Sequence, residues 1–169
     1  MATLRQYLAP EEATFGASAF PQYVRNYGTS FTVSGLAYDA SAAEVAYWKF
    51  NPAGYGSGNV TADVIWYADT STTSTHGVTW QVAIAAITPG TDTQNVETKA
   101  FATAQQASTD LGSTNAQKLM KTTVTISNLD SIAADDEVWI KVTRLVSDAN
   151  DDLTGDAILT SVRLSYSDT

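Results

Sequence analysis

The stretch Asp136–Ala157, DEVWIKVTRLVSDANDDLTGDA, changes character halfway along. Its first half places Val138, Ile140 and Val142 at every second position, the period that is typical of a strand with one face on a core. Its second half packs four aspartates and one asparagine into the nine positions from 148 to 156. The first half indicates the fold class, and the second half raises the question of a metal site.

The same alternation recurs from residue 31 onward and separates candidate core residues from outward ones. The apolar residues expected to point inward are Phe31, Val33, Leu36, Val60, Ala62, Val64, Trp66, Val78, Trp80, Val82, Ile84, Val124, Ile126, Val138, Ile140, Val142, Ile158, Val162, Leu164 and Tyr166. Residues 88–122 are mostly polar, and we expect a strand there only near Val96–Thr103. About eight strands separated by turns rich in Gly, Asn and Asp predict an all-β antiparallel β-sandwich or jelly roll.

The first thirty residues have no sustained period and contain two prolines. They predict an extended N-terminal arm over residues 1–30, ahead of a jelly-roll domain over residues 31–169. The arm is rich in aromatic residues and lies either on its own domain or on a neighbouring subunit. Its interface candidates are Tyr7, Phe15, Phe20, Tyr23 and Tyr27. Trp139, on the face opposite Val138 and Ile140, is a further interface candidate.

The composition of the 169-residue chain excludes several classes of function. It has no cysteine, which excludes disulfides, thiolate zinc sites and cysteine nucleophiles. Its formal net charge of −9 argues against direct binding of nucleic acid, because phosphates must be neutralised by a positive surface. It has no apolar run near the ~18 residues of a membrane span and no secretory signal, so we expect it to be made and kept in a cytoplasm unless it leaves within a larger particle.

The residues with catalytic potential do not form a recognisable constellation. His76, the single histidine, lies in a Thr- and Ser-rich turn, which is a poor place for the base of a catalytic triad. The glutamates Glu44, Glu97 and Glu137 have no neighbourhood that would raise one carboxyl pKa for glycoside hydrolysis. We therefore expect a protein that is not an enzyme and needs no cofactor.

The acidic segment fails the test for a calcium loop of the EF-hand type. Such a loop starting at Asp148 requires Gly at its sixth position and Glu at its twelfth, where this chain has Leu153 and Leu159. A looser calcium site remains an alternative, with candidate ligands Asp148, Asn150, Asp152 and Asp156. Turn chemistry accounts for the same residues more simply, because Asp and Asn bond to their own backbone in turns.

Three pieces of the sequence, residues 36–68, 77–90 and 129–168, resemble a jelly-roll domain found in virion proteins of tailed bacteriophages. That family includes capsid cement (decoration) proteins and components of tails and fibres. The resemblance implies a structural protein made in the host cytoplasm and located on the capsid surface of the virion. Its implied partners are the major capsid protein and further copies of itself in a homotrimer.

Two hypotheses of function follow. The first is a non-enzymatic capsid cement protein that assembles on the outer capsid surface and stabilises the shell. The alternative is a receptor-binding or carbohydrate-binding jelly-roll module with a glycan as its partner, in which Trp and Tyr side chains serve as sugar platforms. The two differ in the predicted surface, since the first needs an interface with protein and the second a site for a glycan.

Overall fold

The computed structural model describes residues 2–70, 73–115 and 117–169, and these residues contain ten strands in two antiparallel sheets. The strands are β1 Thr3–Leu8, β2 Gln22–Tyr27, β3 Thr32–Tyr38, β4 Val45–Phe50, β5 Val60–Ala68, β6 Gly77–Ile87, β7 Gln105–Asp110, β8 Met120–Ile126, β9 Glu137–Arg144 and β10 Ala157–Ser167. A 3₁₀ turn at Pro10–Glu12 follows β1. No helix in the described residues is long and apolar enough to cross a membrane.

The two sheets pack face to face around one main core. The six-stranded sheet has the order β2-β3-β10-β5-β8, with β1 also paired to β10, and the four-stranded sheet has the order β4-β9-β6-β7. Both sheets bury alternate side chains, and Trp48, Trp66 and Trp80 are the largest of the fully buried ones. The predicted all-β sandwich is confirmed, because the apolar residues at every second position line a shared interior.

Residues 2–30 form part of this sandwich, so residue 30 is not a boundary between an arm and a domain. Strand β1 pairs with β10, and β2 forms a hairpin with β3 across the expected boundary. The segment between β1 and β2 is anchored by Trp48, whose indole Nε1 donates a hydrogen bond to the carbonyl oxygen of Ala9 at 2.8 Å. Leu8 and Pro10 are buried. The N-terminal segment therefore lies on its own domain, the first of the two arrangements considered above.

The strand expected near Val96–Thr103 lies elsewhere. Residues 96–103 form no strand, and β7 begins at Gln105, in a polar run without apolar alternation. Because β7 lies at the edge of the four-stranded sheet, it needs little apolar surface, and its burial alternates only between half-buried and exposed. The hydrophobic pattern therefore carried no signal for this strand.

A β-bulge in β10 reverses which alternate side chains of the strand point into the core. The register with β5 shifts between Leu159 and Ser161, so Leu159 points into the main core while Ile158 lies on the outer face of the six-stranded sheet. Ile158 was expected inside, and strict alternation fails here because the bulge adds one residue to the strand. Gly35 of β3 accommodates this arrangement, since a Cβ there would lie 2.6 Å from Cγ2 of Ile158 and 2.9 Å from the carbonyl oxygen of Leu159.

Arg144, the last residue of β9, is fully buried at one end of the sandwich and paired with Asp151. Its Nη2 lies 2.8 Å from Oδ1 of Asp151, and the Nε atom donates to both carboxylate oxygens. Its remaining donors reach the carbonyl oxygens of Leu153 at 2.6 Å, Gly155 at 2.9 Å and Tyr38 at 3.2 Å. The acidic segment is thereby folded back onto the core, and Leu153 is buried with it.

We expect Asp151→Ala to lower the free energy of unfolding by about 3–5 kcal/mol, because removal of one partner leaves a buried charge uncompensated. Urea unfolding at neutral pH measures the loss. The matched control is Glu137→Ala, which breaks the exposed ion pair with Lys49 and should cost no more than about 1 kcal/mol. Equal losses in the two variants would contradict the central role of the buried pair.

Candidate functional site

A groove opens on the outer face of the six-stranded sheet, beside the turn of the β2–β3 hairpin, and we call it the hairpin groove. It encloses about 690 Å³, within the range of small-molecule sites. Its lining residues come from the hairpin, from the end of β5 and the residue after it, from the residues preceding β8, and from β10: Asn26, Tyr27, Gly28, Thr29, Ser30, Phe31, Val33, Tyr67, Asp69, Gln117, Leu119 and Thr160. The site is built by residues far apart in sequence that the sheet order brings together.

The sides of the hairpin groove carry large apolar side chains that the protein leaves in solvent. Tyr27 is 84% exposed, Phe31 is 73% exposed and Leu119 is 60% exposed. Phe31 was expected in the core, but it precedes the first paired residue of β3 and belongs to the hairpin turn. Isolated exposed apolar residues are ordinary, whereas three around one concavity mark a contact surface.

The base of the hairpin groove combines an apolar cluster with hydrogen-bonding groups. Ala37, Tyr67 and Ile158 form a second buried cluster against which Val24 and Val33 pack. This cluster lies on the outer face of the sheet, where the bulge in β10 has placed Ile158. Of the residues in this cluster, Tyr67 and Val33 line the hairpin groove.

Tyr67 and Asn26 form a polar pair within this base. Nδ2 of Asn26 donates a hydrogen bond of 2.6 Å to the Tyr67 hydroxyl, whose own proton remains available for another acceptor. Nearby, Nε2 of Gln117 donates to the backbone carbonyl of Asp69 at 2.9 Å, and the hydroxyl of Thr160 donates to the carbonyl of Ile65 at 3.2 Å. The hairpin groove therefore offers both donors and acceptors around an apolar base.

The hairpin turn is held closed by its backbone. The N–H of Gly28 donates to the carbonyl oxygen of Phe31 at 3.1 Å, and a Cβ at Gly28 would lie only 2.7 Å from that oxygen. A glycine is therefore required for this close approach, which in turn sets the positions of Tyr27 and Phe31. These aromatic side chains are mounted on a hairpin whose strands pair over six residues on each side.

The acidic segment that suggested calcium uses its carboxylates for hydrogen bonds within the protein. Asp148 accepts hydrogen bonds from the backbone N–H and the side-chain amide of Asn150, and these donors lower the pKa of Asp148. Asp152 accepts from the N–H of Gly77 at 2.7 Å. In the described parts of the chain, no three carboxylate or histidine side chains are grouped as a metal ion requires. The arrangement agrees with the interpretation of this segment as a turn.

Asp156 lies apart from that network and close to other acids. Burial, followed by the negative charges of Asp39 and Asp69, raises the pKa of Asp156, while the positive charge of Arg144 opposes the shift. The backbone links this group to the hairpin groove, because the N–H of Asp69 donates to the carbonyl oxygen of Asp156 at 2.9 Å. Asp69, which lines the hairpin groove, therefore belongs to a group of acids with Asp156 and Asp39.

The interface candidates predicted from the sequence are dispersed over the surface. Tyr27 is the only one of them that lines the hairpin groove. Phe15 and Phe20 stack on each other with ring centroids 5.6 Å apart. The other three lie on strands, with Tyr7 64% exposed, Tyr23 beneath the guanidinium of Arg25, and Trp139 half-buried on the outer face of the four-stranded sheet beside Lys49.

Sequence reasoning missed most of the groove residues for identifiable reasons. Asn26, Gln117 and Thr160 are polar residues in unremarkable contexts, and Tyr67 follows Trp66 in a strand that is buried on both faces near its end. The one available signal was the occurrence of two aromatic residues, Tyr27 and Phe31, on either side of Gly28. His76, for its part, lies in the turn before β6, and its carbonyl oxygen accepts the N–H of Leu111 at 2.9 Å.

Comparisons with known proteins define the fold. No protein-family model matches the chain, and no curated protein matches its sequence. A Family 11 carbohydrate-binding module of the cellulosomal cellulase Lic26A-Cel5E of Clostridium thermocellum superposes with a TM-score of 0.50 at 11% identity, over 97% of this chain and 95% of the module. That likeness shows that this chain has the same β-sandwich fold.

Two further solved structures are more distant. The CBM22-2 xylan-binding domain of Paenibacillus barcinonensis Xyn10C has a TM-score of 0.47 at 10% identity, over 96% of this chain and 99% of that domain. A carbohydrate esterase from the Shiga toxin-encoding bacteriophage phi24B has a TM-score of 0.40 at 11% identity, over 91% of this chain and 88% of the esterase. The fold assignment rests on the Clostridium thermocellum module alone.

We expect Asp156→Asn to stabilise the protein at neutral pH. A carboxyl group whose pKa is raised on folding favours the folded state when protonated, and this contribution is lost as pH rises from the unfolded value of about 4 through the raised folded value. Urea unfolding should therefore show a higher midpoint for the variant at about pH 7, and the gain should disappear below about pH 4. Asp135→Asn, the same charge change at an exposed position, is the control. A gain that is equal at both pH values would contradict this assignment.

Proposed function

We propose that this chain is a non-catalytic carbohydrate-binding module whose ligand lies in the hairpin groove. The observation that carries the proposal is the combination of exposed aromatic side chains, Tyr27 and Phe31, with the hydrogen-bonding pair of Asn26 and Tyr67 in one concavity. Function is argued from this site, because a β-sandwich fold hosts many functions.

A sugar matches both kinds of surface in the hairpin groove. Its ring has an apolar face of C–H groups, which an aromatic plane covers, and an edge of hydroxyls that both donate and accept hydrogen bonds. Tyr67 and Asn26 provide fixed polar partners, and Tyr27 and Phe31 provide apolar area. The volume of about 690 Å³ is sufficient for a short oligosaccharide. The carbohydrate-binding module from Clostridium thermocellum, which has the same fold, agrees with this proposal.

Binding without catalysis follows from the ionisable groups present. Hydrolysis of a glycoside ordinarily requires two carboxyl groups on opposite sides of the bond that breaks. Asp69 is the one carboxylate among the described residues that line the hairpin groove. The second carboxyl group of such a pair is therefore missing from the described lining, so the chemistry supports recognition of a glycan.

We expect the double variant Tyr27→Ala/Phe31→Ala to weaken glycan binding at least about tenfold, since truncation of a buried aromatic anchor typically costs about 2 kcal/mol or more. A glycan array identifies the ligand, and titration calorimetry then measures the affinity of each variant.

The control variant is Tyr23→Ala, which removes an exposed tyrosine from the same hairpin at a position that does not line the hairpin groove. Circular dichroism confirms that each variant is folded. A wild-type chain that binds no glycan on the array contradicts the proposed function. If Tyr27→Ala/Phe31→Ala still binds the glycan and Tyr23→Ala does not, the ligand binds outside the hairpin groove.

A capsid cement protein, located on the virion surface as a homotrimer with the major capsid protein as partner, is our second candidate function. The observation that favours it is a set of exposed aromatic residues in the first thirty residues and outside the hairpin groove, namely Tyr7, Phe15 and Tyr23. Aromatic residues are enriched in protein interfaces. In this proposal the N-terminal segment presents these side chains while it remains part of its own sheet.

The second candidate predicts a trimer in solution, which sedimentation equilibrium measures. The triple variant Tyr7→Ser/Phe15→Ser/Tyr23→Ser should dissociate it while the far-ultraviolet spectrum stays unchanged, because all three side chains are exposed. Deletion of residues 2–28 is unsuitable as a test, since it removes β1 and β2, together with the buried Leu8, and exposes the core that they cover. A monomer at all concentrations would contradict the trimer.

A further inference from the structure

The hairpin groove has an acidic lining. The described residues that line it include one acid, Asp69, and no lysine, arginine or histidine. Anion-binding sites need positive charge or convergent donors to replace the water that an anion loses on binding. The described lining provides no positive charge to compensate for a carboxylate or a sulfate.

Three basic residues follow or precede parts of the chain that line the hairpin groove, and none of the three lines it. Arg25 neighbours Asn26 in β2, and its guanidinium lies 5.7 Å from the ring centroid of Tyr23, which does not line the hairpin groove. Lys121 lies 3.7 Å from Asp63. The Nζ atom of Lys118 lies near Gly112, 4.0 Å from the position a Cβ would take there. In the described residues, none of these cations forms an ion pair with Asp69.

Further acids strengthen the negative potential at this end of the sandwich. The backbone joins Asp69 to Asp156, and Asp39 is close enough to Asp156 to interact with it electrostatically. Glu44 lies beside Asp39, since its carboxylate accepts a hydrogen bond of 2.8 Å from the backbone N–H of Asp39. Arg144, the buried cation at this end, is committed to Asp151 and to three carbonyl oxygens.

We infer that the hairpin groove binds a neutral glycan in preference to an acidic one, with Asp69 as the residue that sets this preference. The inference rests on the proposed function and adds the chemical class of the ligand. A neutral sugar satisfies the amide and hydroxyl groups without a charge penalty. A uronic acid or a sulfated sugar places a second negative charge near Asp69 and lowers both the affinity and the rate of association.

The test uses pairs of oligosaccharides that differ only in oxidation at C6: glucose with glucuronic acid, galactose with galacturonic acid, and mannose with mannuronic acid. We expect the wild-type chain to bind the neutral member of a pair more tightly, by about three- to tenfold at low salt. This preference should shrink at about 1 M salt, where the Debye length falls to about 3 Å.

The variant Asp69→Asn should raise the ratio of acidic to neutral affinity by about three- to tenfold at low salt, because it removes the repelling charge. This ratio is informative because a merely structural effect of the substitution would lower both affinities together. The matched control is Asp135→Asn, which changes the net charge equally at an exposed position outside the hairpin groove and should leave the ratio unchanged.

Three outcomes overturn the inference. Equal or tighter binding of the acidic member contradicts it while leaving the proposed function intact. A ratio that changes equally in Asp69→Asn and Asp135→Asn assigns the effect to net charge and not to Asp69. Absence of binding to both members of every pair contradicts the proposed function and the inference with it.

Discussion

The buried pair of Arg144 and Asp151 is the interaction on which one whole end of the sandwich depends. A guanidinium cannot lose its charge in a protein, so its burial requires a carboxylate and further acceptors at the same place. Asp151 supplies the carboxylate, and carbonyl oxygens of Leu153 and Gly155 supply acceptors from the same loop. The carbonyl of Tyr38 adds an acceptor from the other sheet. Because Arg144 ends β9 and Tyr38 ends β3, this one side chain joins the two sheets.

The position of the hairpin groove depends on how the loop after β9 is folded back by Arg144 and Asp151. Once the loop is folded back, the chain enters β10 at Ala157 with Ile158 on the outer face of the six-stranded sheet, and the bulge then returns the later residues to the core. Ile158 packs with Tyr67 and Ala37, and Tyr67 lines the hairpin groove beside the aromatic residues of the β2–β3 hairpin. The same end of the sandwich brings Asp156 close to Asp69 and Asp39. Burial and these two negative charges raise the pKa of Asp156, so its ionised form destabilises the fold at neutral pH.

The hairpin groove differs from the rest of the surface in combining exposed aromatic planes with a fixed polar pair. By contrast, Trp139 of β9 and Phe101 of the segment between β6 and β7 are half-buried and lie beside lysine side chains. Lys49 lies 5.6 Å from the ring of Trp139, and Lys141 lies 5.2 Å from the ring of Phe101. Tyr27 and Phe31 have no such cover. A ligand with apolar faces and hydroxyl edges is the partner that suits them, and the surrounding acids limit its charge.

Alternation of apolar residues was sufficient to predict an all-β sandwich and most of its core strands, because a half-buried strand imposes a period of two on its own sequence. It failed at β7, an edge strand with little to bury, and at Ile158, where a bulge breaks the period. It also could not show that β1 and β2 belong to the sheet, since strand pairing joins residues as distant as Thr3 and Ser167. The acidic turn after β9 was recognised from local chemistry, whereas its ion pair with Arg144 was not. The sequence by itself therefore determined the fold class and the turn. Only the tertiary structure decided the site, because its residues become neighbours through the sheet order and share no pattern along the chain: Asn26, Phe31, Tyr67 and Thr160.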